Sequence, residues 1–256
     1  MDHNNEYCRH TLKEHDYDRY LISLLAPKDA QHALWALYAF NYEIAKTRET
    51  VTETQLGLIR LQWWHQEITK MFEGDAVIKE NAILPSLKLA VQKYGLPKDH
   101  FDTLIYSREF DLEDVAPETI EGLVYYADYT NTPLLQLHAQ IIGCKASDEA
   151  LRHLGIAYGL SGILRAIPFH AAQSRSFLPS TLVNEVSEET LIKQIADEAM
   201  RNLEIYKQHD KLPKSLRGFA TLCAINMKAI KSASYDPAKP VFQNKTPLKP
   251  LYLAFS

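Results

Sequence analysis

The chain has 256 residues, 46% apolar, 23% charged and 10% aromatic, enough for one large globular core or two small ones. Lys plus Arg total 28 against 32 Asp plus Glu, a formal charge of −4, which counts against a general nucleic-acid binder with a strongly basic surface. Only 9 glycines and three widely spaced cysteines, Cys8, Cys144 and Cys223, count against Gly-rich phosphate loops, a disulfide framework and a zinc module.

The first residues, Met1 to Tyr7, lack both the basic and the apolar run of an export signal and are too acidic for a mitochondrial transit peptide. The spacing of Ala33, Leu34, Leu37, Phe40, Asn41 and Ile44 follows i, i+3, i+4, i+7 and predicts a helix over 30–47. Its most apolar stretch, Ala33 to Phe40, falls far short of the ~20 residues that cross a bilayer. The same periodicity predicts helices near 54–73, 82–94, 98–110, 118–142, 148–167, 188–209 and 213–234. Gly74-Asp75, Gly95-Leu96-Pro97, Ala116-Pro117, Ser147-Asp148 and Leu212-Pro213 separate them. Thr132-Pro133 is expected to break or kink the helix over 118–142, because proline disfavours a helical residue before it. Pro168 is expected to end or kink the helix over 148–167. With no stretch of comparable length alternating at period two, the fold class is all-α. The expectation is a single domain over 1–256 with a Pro/Lys-rich extended tail at about 235–256.

Charge is segregated along the chain. From Asp99 to Glu149, 11 acids face only Arg108 and Lys145, whereas from Arg201 to Ser256 ten Lys or Arg face Glu204, Asp210 and Asp236. This basic C-terminal stretch suits an anionic membrane surface or an acidic partner, or it is a set of solvated helix faces.

Three stretches together resemble the squalene and phytoene synthase family. Asp18-Arg19-Tyr20-Leu21-Ile22-Ser23-Leu24-Leu25-Ala26-Pro27, followed by Ala36-Leu37-Tyr38-Ala39-Phe40, is similar to the family's opening helix pair. Arg60-Leu61-Gln62-Trp63-Trp64 resembles its tryptophan-pair helix, with His65 where the family has arginine. Leu160-Ser161-Gly162-Ile163-Leu164-Arg165, then Arg175-Ser176-Phe177-Leu178-Pro179, keeps the spacing of its Ile-Leu-Arg helix and Tyr-Leu-Pro turn.

The resemblance implies an isoprenoid-synthase-type helical bundle around a central cavity, in which Mg²⁺ held by two aspartate motifs draws off the diphosphate of an allylic substrate. The first motif places carboxylates at i, i+1 and i+4 of a helix; here those positions are Ala45, Lys46 and Glu49. The second places them at i and i+4; here those are Ala166 and His170, with Pro168 between. Alanine has no donor, imidazole suits softer metals, and Lys46 repels a cation, so neither metal nor other cofactor is expected, and no catalytic residue is assigned. Mg²⁺ enters only if the chain is an active enzyme.

A non-catalytic branch of the same family, whose members serve assembly of respiratory complex I (NADH:ubiquinone oxidoreductase), is resembled more closely. The carrying runs are Arg108-Glu109-Phe110-Asp111-Leu112-Glu113-Asp114, Tyr126-Ala127-Asp128-Tyr129-Thr130-Asn131-Thr132-Pro133-Leu134-Leu135 and Leu164-Arg165-Ala166-Ile167-Pro168-Phe169-His170. The implied role is assembly of complex I. The implied partner is one of its subunits or an assembly intermediate, with peripheral membrane or isoprenoid-lipid contact and no nucleic acid. The implied location is the cytoplasm, at or near the inner membrane. The alternatives are an active head-to-head prenyl transferase and an isoprenoid- or lipid-binding carrier.

Arg48, Glu49, Arg165, His170 and Arg175 are the ligand-binding candidates, since the cations could hold a diphosphate, a lipid headgroup or a partner carboxylate. The other reading pairs Arg165 with Glu49 or Glu43, and makes His170 a structural group. Trp35, Trp63 and Trp64 with Tyr38, Tyr42 and Tyr158 line an apolar tunnel or form plain core. Neither His65 with Glu67 nor Cys8 with His10 and His15 has the spacing of a metal site.

Overall fold

The computed structural model describes residues 3–74, 80–173, 175–209, 211–243 and 249–255. Helix accounts for 76% of the described residues and no strand occurs among them, as the periodicity requires. The chain separates into two compact units. The first comprises Met1–Glu113 with Pro133–Lys145, and the second comprises Asp114–Thr132 with Ala146–Ser256.

In the first unit, α1 (His3–His15), α2 (Tyr17–Leu24) and α6 (Leu84–Tyr94) surround α3 (Lys28–Ala45). Apolar residues run round every side of α3, and a helix of that kind is stable only when enclosed. Leu34, Trp35, Leu37, Tyr38 and Phe40 are accordingly buried. Next come α4 (Thr47–Thr50), α5 (Thr54–Glu73), α7 (Lys98–Tyr106) and α8 (Glu109–Leu112). Phe40 presents its edge to Trp64 of α5 at 5.5 Å and to Phe101 of α7 at 5.6 Å between centroids. Asp16 caps α2 by accepting the Arg19 N–H, while α5 and α6 end on Gly74 (φ 90°) and Gly95 (φ 61°), left-handed positions that favour glycine.

The second unit packs α10 (Asp148–Ala172) against α11 (Glu188–Lys207) and α12 (Lys214–Ser232). Ser147 and Ser187 cap α10 and α11, each followed by two acids in the first turn that complement the helix dipole. Helix α9 (Ile120–Ile141) lends its first part to this unit. Gly155 and Gly159, one turn apart on α10, set the approach: a Cβ there would lie 2.6 Å from Thr132 Oγ1 and 2.5 Å from Asn131 Nδ2. The two helices touch backbone to backbone because those side chains are absent.

At neither proline does the helix end. Helix α9 runs unbroken through Pro133, although the unit boundary falls there, and α10 continues five residues past Ile167, through Pro168 to Ala172. A proline inside a helix costs roughly 3 kcal/mol by removing one N–H and crowding one carbonyl. On α10, burial of Leu160, Leu164 and Ile167 around that turn outweighs it. The tail read as extended instead forms a 3-10 turn at Pro240–Gln243, packed on α12, and helix α13 (Lys249–Ala254); residues 244–248 and 256 lie outside the described set. Phe242 and Leu253 are its buried anchors. Helices α1 and α13 have too few regularly spaced apolar residues for periodicity to reveal them. No described helix is long and apolar enough to cross a membrane.

Candidate functional site

The positions of the two family motifs lie at the C-terminal ends of α3 and α10. At the first, the helix closes at Ala45, and Lys46, as C-cap, donates its N–H to the Tyr42 carbonyl at 2.9 Å. The chain then restarts as α4, whose Glu49 N–H bonds back to Lys46 O at 2.9 Å. Ala45, Lys46 and Glu49 therefore do not share one face of a continuous helix, as the i, i+1, i+4 pattern requires. Glu49 is exposed.

The carboxylate that organises this end is Glu43. It is buried in α3, and its two oxygens accept separately, Oε1 from Lys46 Nζ at 2.7 Å and Oε2 from Arg60 of α5 at 2.8 Å. Lys46 Nζ also stands 4.7 Å over the Tyr42 ring, which stacks on His15 of α1 at 5.0 Å. The lysine that takes a metal-binding position is thus half of an ion pair with a cation–π contact behind it. Arg48 is half-buried and donates to the Val51 carbonyl at 3.3 Å.

At the end of α10, Arg165 and Ala166 are half-buried, and His170 sits in the last turn. The His170 ring packs on Phe169 and Phe177, with centroids 5.6 and 4.9 Å away, and its Nδ1 is enclosed without a hydrogen-bond partner. Burial, and then the Arg175 charge, push His170 below its ordinary value, which keeps the imidazole neutral. The dipole at a helix C-terminus favours the charged form, so desolvation wins here. The chain turns sharply beyond: Gln173 and Arg175 both donate their N–H to His170 O at 2.9 Å. Arg175 Nε pairs with Asp114 Oδ1 at 3.0 Å, and its guanidinium lies 5.9 Å from the Phe177 ring. Asp114 holds a left-handed backbone, φ 52°, which Asp tolerates better than most residues.

Of the ligand-binding candidates, His170 and Arg175 are brought together, while Arg48 and Glu49 are neighbours on α4 with different exposures. The sequence offered Glu43 only as a partner for Arg165; its pairing with Lys46 and Arg60 follows no motif spacing. Spacing also missed Asp114, far from Arg175 in sequence. Trp35, Tyr38, Trp64 and Tyr158 are core: the Trp35 indole donates to Ser23 Oγ at 2.8 Å, and Tyr158 meets Phe219 edge-on at 4.9 Å. Among the described residues no group of three or more His, Cys, Asp or Glu is placed to hold a metal.

Mg²⁺ takes close to six oxygens in a tight octahedron. The first position offers the single exposed carboxylate of Glu49 beside a Glu43 already committed to two cations. The second offers a methyl group and a neutral imidazole. These donor sets do not fit the ion.

The profile described as squalene/phytoene synthase matches residues 12–212, and the chain belongs to that family. Complex I assembly factor 6 of Bos taurus is 32% identical over 97% of this chain and 80% of its own length. The human protein of that name is 31% identical with the same coverage. The presqualene diphosphate synthase of Rhodopseudomonas palustris is 25% identical over 65% of this chain and 60% of its own. In fold, squalene synthase HpnC from Alicyclobacillus acidocaldarius superposes with a TM-score of 0.79 at 18% identity, over 91% of this chain and 95% of that one. A dehydrosqualene synthase in complex with ligand gives 0.76 at 16%, over 98% and 93%. The helical architecture is that of the isoprenoid synthases.

Proposed function

We propose that this chain is a non-catalytic squalene/phytoene synthase-like protein that acts in assembly of respiratory complex I, the NADH:ubiquinone oxidoreductase, through a protein partner. The observation that carries the reading is near full-length similarity to proteins named complex I assembly factor 6. It is supported by the loss of metal-anchoring carboxylates at both motif positions, Ala45-Lys46 and Ala166-His170. On this reading the fold serves as a scaffold that needs neither Mg²⁺ nor another cofactor. The place of action that goes with it is the cytoplasmic face of the inner membrane, reached peripherally.

Deleting the gene tests the proposal. The expected result is less assembled NADH:ubiquinone oxidoreductase on native gels, with sterol, hopanoid and carotenoid precursors unchanged. Normal complex with lost isoprenoid products would overturn it.

A second reading, an active head-to-head prenyl transferase, draws on the similarity to presqualene diphosphate synthase. Incubating the purified protein with farnesyl diphosphate and Mg²⁺ separates the two. Turnover abolished by Glu49→Ala or Arg165→Ala would establish the enzyme, and none is expected.

A further inference from the structure

The solvent face between α11 and α12 carries two hollows joined at Ala224. One, of about 340 Å³, is lined by Lys207, Lys211 and Arg217 with Tyr206, Ala220 and Thr221. The other, of about 280 Å³, is lined by Lys228 and Lys231 with Ala196, Met200, Met227 and Asp197. The floor is therefore small and apolar (Ala196, Ala220, Ala224) with two flexible methionines. The rim carries five Lys or Arg against one Asp.

That single acid is already engaged, since Asp197 Oδ2 accepts from Lys193 Nζ at 2.6 Å. Among the described residues, neither Lys228 nor Lys231 has a carboxylate partner. Both are exposed. Lys207 is paired with Glu204 at 2.7 Å and Arg217 donates to the Leu212 carbonyl at 2.8 Å, so the uncompensated charge is concentrated at Lys228 and Lys231, where an entering anionic surface would offset it.

We propose that the α11–α12 groove is a docking surface for an acidic amphipathic helix of a partner protein. The occupant's apolar side would settle on the alanines and methionines, and its carboxylates would meet the lysine rim. Helix-in-groove recognition uses this division, with apolar anchors at i, i+3, i+4, i+7 and a polar back. Methionine suits such a floor because its unbranched side chain repacks around different partners. Shape favours a helix over a bilayer: a concave trough whose Ala196 and Met227 are buried receives a convex ridge, whereas a membrane takes up protruding apolar groups. The inference rests on the protein partner of the proposed function and adds the surface it uses.

The test uses the full chain and a fluorescein-labelled synthetic helix of about 18 residues, long enough to hold helical structure, with Leu on one face and Glu on the other. A twin with Lys for Glu and vesicles of mixed phosphatidylcholine and phosphatidylglycerol complete the probes. The acidic helix should bind, weakening about tenfold between about 50 and 300 mM salt, and the basic twin should not. The double variant Lys228→Glu with Lys231→Glu should lose about tenfold or more in affinity. Ala224→Trp, which fills the groove without changing charge, should lose a similar factor, and far-ultraviolet circular dichroism checks that both variants are folded. Equal binding of the two helices, or binding indifferent to Ala224→Trp, would overturn the groove. So would vesicle binding that needs Lys228 and Lys231 when the helix does not bind. If gene deletion lowers complex I but the groove variants rescue it fully, the docking surface falls and the assembly role stands.

Discussion

The ends of α3 and α10 occupy corresponding roles in the family fold, yet each has lost metal-binding character by a different physical route. At the end of α3 charge remains: Lys46, at a motif position, and Arg60 between them satisfy both oxygens of Glu43. At the end of α10 charge has been withdrawn instead. His170 is packed between two phenylalanines and kept neutral by burial, and the nearest cation, Arg175, faces Asp114. The Glu43–Arg60 pair ties α3 to α5, whereas the aromatic cluster makes the end of α10 an apolar joint. One end depends on electrostatics and the other on packing, and they respond to different perturbations.

The largest effect is expected from breaking the first. Glu43→Ala leaves two partly buried cations facing each other and should destabilise the protein by about 3 kcal/mol in chemical unfolding. Glu43→Gln, which keeps one acceptor oxygen, should lose about half as much. A loss under a few tenths of a kcal/mol for Glu43→Ala would show that the pair is ornamental.

Acid should expose the packing side of the comparison, and a second histidine provides its reference. His138, fully buried in α9 and hydrogen-bonded to the Tyr38 hydroxyl, is held down to about 3 by burial alone. The unfolded chain binds a proton at this histidine below about pH 6.5, while the folded one stays neutral down to about 3. Stability therefore falls as pH drops through that window, by up to about 1.4 kcal/mol per unit, or about 2 kcal/mol between pH 6.5 and 4.5. The double variant Tyr38→Phe with His138→Leu, which removes both polar atoms together, should flatten the slope by about one proton in urea unfolding at stepped pH. Parallel slopes in the two proteins would contradict it.

His170 should show a smaller, site-specific signal. Its ring resonances are expected to titrate below about pH 6.5, because burial first and Arg175 second disfavour the imidazolium. Arg175→Gln removes the second cause only, so the midpoint should rise yet remain below that value. A fall would show that the Arg175 charge argument is wrong.

The smallest expected effect is none. Millimolar Mg²⁺ with diphosphate should leave Tm unchanged, because a ligand that does not bind the native state cannot stabilise it. A Mg²⁺-dependent rise lost in Glu49→Ala would show that a metal site survives at the end of α3.

Helix spacing placed α5, α6, α9, α11 and α12 within a few residues of their observed bounds, since each shows an apolar stripe at 3.6-residue period against polar solvent positions. Missing carboxylates at Ala45, Lys46, Ala166 and His170 were equally legible, because the absence of an oxygen donor is a property of residue type alone. The sequence by itself thus determined an all-helical family member with emptied motifs. Which groups pair beside the emptied motifs was decided only in three dimensions: Arg60 reaches Glu43 across 17 residues, and Arg175 reaches Asp114 across the whole of α9 and α10. Prolines 133 and 168 stay helical for the same reason, as a local penalty of roughly 3 kcal/mol is outweighed by apolar surface that only tertiary packing can bury.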